Sequence, residues 1–505
     1  MFESLPLLSL QVWLPILGAI AVLISGRFGH EQFARVIAIA TVLLCLVLCI
    51  PLYTQFDTHT YAYQFRETYD WIPIFHIQYD IGVDGISMPL VLLTAFTSLI
   101  VIIAAWRAIQ HKATQYLATF LMLQAMTVGV FVAIDALLFY VFWEAMLIPM
   151  YLAIGIWGSQ NRSYAAIKFF LYTFFGSALM LVVMLYLGLH ANSFSIPDFY
   201  SLPLTMTVQV LIFIGFLLAF AVKVPMWPVH TWLPDAHTEA PAGGSVILAA
   251  LMLKVGGYGF FRFSMPITPD ASQSLSWLMI ALSLIAIVYI GLIALAQKDM
   301  KRLIAYSSVA HMGFVSLGCF MIYMIVANTG NQKDAYMSLE GAMVQMISHA
   351  FGSGALFLGF GMLYERMHTR LIKNFGGIAT TMPVYAALFM VFAMSNVGLP
   401  GTSGFVGEFM VILSAFKANF WIAFAAALTL IIGASYTLWM YKRVFYGEVA
   451  TQQVAELKDV DWLEWSVLML LVIAIFVVGF YPESLLRVMH DSIGHLIHLS
   501  LLTKL

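Results

Sequence analysis

Apolar residues come in long runs from one end of this chain to the other, and polar residues gather in the short stretches between them. Fourteen runs approach or exceed the roughly 20 residues that a helix needs to cross about 30 Å of hydrocarbon. They cover residues 7–25, 33–53, 85–106, 114–133, 135–157, 165–189, 208–227, 241–263, 273–296, 302–325, 337–363, 383–415, 419–441 and 463–481. The runs are continuous rather than alternating, so helices and not barrel strands are the predicted spanning elements. The first run has no basic leader and no small-residue cleavage site, and reads as a spanning helix rather than a removed signal.

Two runs are interrupted. The seventh ends in "AFAVKVPMWPVHTWLPDAHTEAPAGG", where Pro225, Pro228, Pro234 and Pro241 forbid a regular helix. The twelfth contains "NVGLPGTSGFVGEFM", where Gly398, Pro400, Gly401 and Gly404 break a run too long for one straight helix. Backbone groups freed inside a membrane must meet water or polar side chains, so each break implies a hydrated cavity.

Composition fits this pattern: of 505 residues, 62% are hydrophobic and 10% charged, against about a quarter charged in soluble domains. The fold class is therefore an all-α polytopic membrane protein of about 14 transmembrane helices, with no soluble domain. Cys45, Cys49 and Cys319 all fall inside runs, with no CxxC and no cluster at metal spacing. No metal, flavin, haem or iron–sulfur centre is expected in the chain, and no nucleic-acid partner.

Fifteen of the 23 lysines and arginines lie in or beside the loops after the first, third, fifth, ninth, eleventh and thirteenth runs. The positive-inside bias puts those loops in the cytoplasm or matrix and both termini outside. Two lysines belong to neither side. Lys223 closes the seventh run and Lys254 sits inside the eighth, about 20 Å of helix beyond Pro241.

A charge at such depth costs about 2.5–3.5 kcal/mol on insertion scales, so these residues are expected to face a protein interior, find partners and mark an ion path. Glu144, in the middle of the apolar run of "DALLFYVFWEAMLIPMYLAIGIW", is the natural partner for one of them, and Glu408, just past the twelfth-run break, is the second deep carboxylate. Burial favours the neutral form of either group and pairing restores the charged forms, so such a pair is poised to change protonation. A static Glu144–Lys223 ion pair is the bland alternative, but buried pairs are weak stability devices.

A kink with a buried charge beside it, found twice, is the signature of inverted repeats around an ion site near the midplane. His230 and His237 flank the seventh-run break, His311 lies near the start of the tenth run, and His349 lies inside the eleventh. Each is as much a packing residue as a relay, and His349 is the best placed by depth. Lys168 reads as a snorkelling lysine. Asp135 is expected to be solvated near the outer boundary, and Asp80, Asp84 and Asp235 to be loop or cap residues.

"FWEAMLIPMY", "AFAVKVPMWPVHTWLPDAHTEAPAGGSV", "DMKRLIAYSSVAHMGFV" and "GLPGTSGFVGEFM" resemble the proton-translocating antiporter-like family of complex I over nearly the whole chain. Glu408 in place of a lysine, and no room for a long C-terminal lateral helix, narrow the resemblance to one member of that family. Related cation/proton antiporters share "LPDAH" and the buried lysine.

The resemblance implies two inverted five-helix repeats with broken helices 7 and 12. It divides the chain into 1–113 (helices 1–3), 114–264 (first repeat, helices 4–8), 265–445 (second repeat, helices 9–13) and 446–505 (loop and helix 14). It implies that Glu144 pairs with Lys223, that Lys254 is the central group and Glu408 the output group, and that His311 and His349 belong to the polar axis between them, with His230 a further relay candidate.

On this reading protons move from cytoplasm to periplasm, coupled to NADH oxidation by quinone. NADH, FMN, iron–sulfur clusters and quinone belong to other subunits. Antiporter-like neighbours of a membrane arm flank the chain, and a bacterial inner membrane is its place. A cation/proton antiporter subunit of the Mrp type and a structural membrane scaffold are the rival classes.

Overall fold

The computed structural model describes residues 5–505 and is helical throughout, apart from one hairpin. Among the described residues, thirteen helices are long and apolar enough to cross a membrane: Leu7–Arg27, Glu31–Thr54, Met88–Ala108, Ala113–Val132, Ala136–Trp157, Arg162–Ala191, Met206–Lys223, Ala242–Ile267, Ser276–Leu295, Met300–Phe320, Gln332–Met367, Phe420–Phe445 and Trp462–Phe480. The twelfth crossing is made by two shorter helices, Pro383–Val397 and Ser403–Ala418. Counted with it, the spans follow the hydropathy pattern one for one.

Local chemistry sets their ends. Asp135, Asp299 and Asn419 cap the fifth, tenth and thirteenth spans with side-chain oxygens. Asp461 and Glu464 close a reciprocal capping box on the fourteenth. The seventh span stops at Lys223, and the chain turns through the prolines before resuming as Trp232–Glu239. The first half of the twelfth stops at Gly398, whose φ of +79° is the left-handed conformation that ends a helix at little cost to a residue without Cβ.

Burial distinguishes the centre from the rim. The apolar 18-residue core of the eighth span is 100% buried and those of the tenth and eleventh 94%, whereas those of the second, thirteenth and fourteenth are 33% buried. The interior is thus built around spans 8, 10 and 11. The eighth carries two π-helical turns, Leu248–Met252 and Phe260–Ser264, on either side of Lys254. Such turns interrupt regular helix and are frequent at functional sites.

Two elements escaped the hydropathy pattern. An antiparallel hairpin, Gln64–Ile72 with Ile77–Val83, joins spans 2 and 3. It is pinned to the first span, where the amides of Leu8 and Ser9 donate to Glu67. After span 14 the amphipathic helix Glu483–Leu501 buries Val488, Met489, Ile493, Leu496 and Ile497. It ties together the ends of several spans: the Gly85 amide donates to Ser492 Oγ at 2.9 Å, and His490 Nδ1 lies 2.6 Å from Glu340. Its charged face keeps it below any spanning threshold, and its short apolar stripe reflects the period of a surface helix.

Candidate functional site

Glu144 and Lys223 do not meet. The Glu144 carboxylate accepts from Ser177 Oγ of the sixth span, and its side chain is half-buried, between the exposed Val141 and Ile148. Lys223 is 1% exposed, its Nζ has no hydrogen-bond partner, and it lies 5.2 Å from the Trp143 ring centroid and 5.9 Å from that of Phe169. The expected ion pair is therefore open: a serine hydroxyl satisfies the acid and two aromatic faces the ammonium, a cation–π cradle that draws the side chain away from the carboxylate.

The other half is closed. Lys254 Nζ donates to Ala249 O of the preceding π turn at 2.5 Å and lies 2.6 Å from His349 Nδ1. The His349 and His311 rings are 5.7 Å apart between centroids. His311 Nδ1 lies 2.5 Å from Glu408 Oε1, which also accepts from Gln345 Nε2 at 3.1 Å. All five side chains are buried, Lys254 fully. Spans 8, 11, 10 and 12 thus contribute one group each to a row of titratable side chains through the interior, held by an amide from span 11.

Some predicted residues lie elsewhere. His230 sits in the turn between the two halves of the seventh span, its ring 6.5 Å from Tyr306, and makes no bond to the row. Lys168 does not snorkel: its Nζ donates to Asp235 Oδ2 at 2.7 Å, and Asp235 lies inside the helix Trp232–Glu239 rather than capping it. Asp135 is 2% exposed, not solvated. Three amides, of Gln78, Leu137 and Leu138, surround its carboxylate, and burial outweighs them and pushes its pKa up to about 6. Asp80 is on the second strand, bound by Arg66, while Asp84 does cap a turn and also accepts both hydrogen bonds of Arg262 Nη2, at 2.7 and 2.8 Å.

Sequence reasoning missed Ser177, Gln345 and Ser353, which hold Glu144, Glu408 and His349. The signal was present for the last two: Gln345, His349 and Ser353 recur every four residues in an apolar span, the spacing of one helix face. Among the described residues no group of three or more His, Cys, Asp or Glu is placed to hold a metal ion, and the three cysteines are free and buried.

A many-spanning helical bundle with two broken helices and a buried row of ionisable groups defines a membrane protein of the ion-translocating class. Residues 133–433 match the family described as NADH:quinone oxidoreductase/Mrp antiporter, transmembrane. NADH-quinone oxidoreductase subunit M of Rhodobacter capsulatus is 45% identical, covering 97% of this chain and 96% of that one. A chain of respiratory complex I from Thermus thermophilus superposes with a TM-score of 0.88 at 31% identity, covering 98% of this chain and all of that one. A chain of the Mrp complex from a Dietzia species reaches a TM-score of 0.81 at 20% identity, a likeness of fold alone. The chain belongs to the NADH:quinone oxidoreductase/Mrp antiporter transmembrane family, and its similarity over full length is to the subunit M branch.

Proposed function

We propose that the chain moves protons from cytoplasm to periplasm as the subunit M of a membrane-bound NADH:quinone oxidoreductase, driven by electron transfer in other subunits. The observation that carries this reading is the row Lys254, His349, His311 and Glu408, with contacts of 2.6 and 2.5 Å at its ends. Placing four titratable groups in a membrane interior is costly, and packing does not require it.

The row supplies a path for a proton rather than for a larger cation. A proton on Lys254 passes to His349 across their shared hydrogen bond; the imidazole gives up its other N–H proton toward His311, whose ring centroid is 5.7 Å away, a gap wide enough for one bridging water. His311 then hands a proton to Glu408 across the second short contact. Glu408 discharges to the outside through the second half of the twelfth span. Glu144 and Lys223 form the loading arm: swinging Lys223 from its aromatic cradle to Glu144 closes the pair, and opening it releases the proton toward Lys254. The transmembrane potential charges about 2.3 kcal/mol per proton per 100 mV, the scale of one rearranged ion pair.

In this reading residues 114–264 and 265–445 are the two inverted five-helix repeats, each contributing one broken helix. The chain sits in a bacterial inner membrane with both termini on the periplasmic side, between other antiporter-like subunits of the membrane arm. FMN, iron–sulfur clusters and quinone are held by those partners and the rest of the complex. The test is NADH-driven proton uptake into inverted membrane vesicles carrying Glu144→Ala or Lys254→Ala, beside NADH oxidation by ferricyanide as the measure of assembly. Loss of uptake and of quinone reduction with ferricyanide activity retained is expected. Full uptake in both variants would reduce these charges to packing groups, and sodium-dependent transport without a redox partner would move the chain to the antiporter class.

A further inference from the structure

A cavity of about 430 Å³ opens between the loops that carry most of the chain's basic residues, lined among others by Glu239, Lys301, Gly361, Glu365 and Arg370. It has room for on the order of ten waters. Neither Glu144 nor Lys223 touches it.

Lys301 forms its inner wall. The side chain is buried on the tenth span and donates from Nζ to Ala240 O at 2.5 Å, the carbonyl just after the second half of the broken seventh span. One turn back along that half lies His237, with 0% exposure and neither ring nitrogen hydrogen-bonded. The ring is stacked on Phe357 of the eleventh span, 4.3 Å between centroids and 5° from parallel. Lys301 reaches the same half-helix through Ala240, and no hydrogen bond joins the ring to Lys301, Lys254 or His349. A fully buried imidazole with two idle nitrogens is expensive as a packing residue, since an unmatched buried polar group costs about 1–3 kcal/mol.

The eleventh span gives the alignment. Gln345, His349, Ser353, Phe357, Gly361 and Glu365 recur every four residues over about 30 Å of helix. In order they hold Glu408, hold Lys254, brace His349, stack His237, line the cavity and line the cavity again. The contacts of this one helix, winding about 200° around its axis over those five steps, therefore run from the output carboxylate to the cavity.

We propose that this cavity is a second proton intake, feeding Lys254 and His349 through Lys301 and His237 without passing Glu144 and Lys223. Lys301 gives a proton to one nitrogen of His237, the ring releases the proton from its other nitrogen toward Lys254 or His349, and Lys301 is reprotonated from cavity water. The proton ends on Lys254 or His349 and is passed on along the row, and the ring, left as its other tautomer, flips or exchanges its N–H before the next transfer. The inference rests on the proton-translocating role proposed above.

The test uses the whole complex in inverted vesicles, whose outer surface is the cytoplasmic one. His237→Ala is expected to slow NADH-driven proton uptake and quinone reduction by on the order of a hundredfold, the low end for loss of a positioned proton carrier, with ferricyanide activity unchanged. Imidazole added to the cytoplasmic side restores the rate, which a lost packing ring would not allow. Independently, Thr238→Cys at the cavity wall, modified with a bulky membrane-impermeant methanethiosulfonate, reproduces the loss; the native cysteines are buried. Wild-type turnover in both variants while Lys254→Ala is inactive would overturn the intake and leave translocation standing. A loss that imidazole does not restore and the thiol block does not reproduce would overturn it too, making His237 a packing residue. Full uptake in Lys254→Ala would remove the translocation reading itself.

Discussion

Gly404, one turn before Glu408, packs directly against the backbone of the first half of the twelfth span. A Cβ added there would stand 1.9 Å from the backbone oxygen of Ser395, and ordinary contact begins at 3.4 Å, so Gly404→Ala must part the halves by about 1.5 Å. The obstacle is backbone, which cannot rotate aside. Overpacking of this kind costs roughly 1–3 kcal/mol. The functional cost is larger, because Glu408 rides on the displaced helix: its 3.1 Å bond from Gln345 and 2.5 Å contact with His311 would stretch beyond hydrogen-bonding range if the shift is carried to it. Misplacing a reacting group by about 1 Å costs on the order of a hundredfold in rate. The assay is NADH-driven proton uptake and quinone reduction in vesicles, normalised to ferricyanide activity. Gly352→Ala is the control, since its added Cβ approaches the same Ser395 only to 3.4 Å from Oγ. Wild-type pumping by Gly404→Ala, or equal loss in Gly352→Ala, would refute the argument.

Two further predictions concern stability. Arg262→Leu leaves Asp84 buried and unpaired, and should destabilise the chain by about 3–5 kcal/mol, read as earlier thermal loss of the assembled complex; Arg262→Leu with Asp84→Leu should recover much of it. A single variant as stable as its parent would show that the pair is solvated. Asp461→Ala removes the capping box of the fourteenth span and should cost about 1 kcal/mol. Burial alone would raise the Asp461 carboxyl, but the Glu464 amide and Arg107 outweigh it and hold the pKa below the ordinary 3.8. With the folded value depressed, the contribution is present above pH 3.8 and is lost as pH falls through the folded pKa. The variant should lack that acid-side loss in a thermal-stability profile, and an unchanged profile would assign it to other carboxylates.

The spans were legible because membrane insertion imposes one constraint, about 20 apolar residues, that every crossing meets alone. The breaks were legible for the same reason, since proline and glycine act on their own segment. Glu144, Lys223, Lys254 and Glu408 stood out by cost: a charge in an apolar run needs no partner to be conspicuous. Their partners were another matter. That His349 meets Lys254 while Glu144 misses Lys223 depends on how the spans rotate against one another, which hydropathy does not encode. Asp135 misled for a related reason. Its distance along the helix from Glu144 was read as an approach to water, but the hairpin and the turn at Ser195 cover that end of the span.

The two arms of the row hold charge differently, and the difference has a consequence for control. Between Lys254 and Glu408 two short hydrogen bonds are already made, and only the stretch between the two histidines must rearrange for a proton to pass. Between Glu144 and Lys223 no bond is made: one rests on a hydroxyl, the other on two aromatic faces, and a side chain must move before a proton can. In the proposed mechanism this loading arm therefore requires a side-chain movement that the central row does not. Glu144 is also the only one of the four deep charges that is not fully buried, and it lies between exposed apolar residues of its own helix. Whatever covers that face sets the dielectric around Glu144 and hence the strength of its pull on Lys223. In the proposed assembly the covering element is a neighbouring subunit, so a change there would reach the row by drying or wetting one carboxylate, without any movement of the central spans.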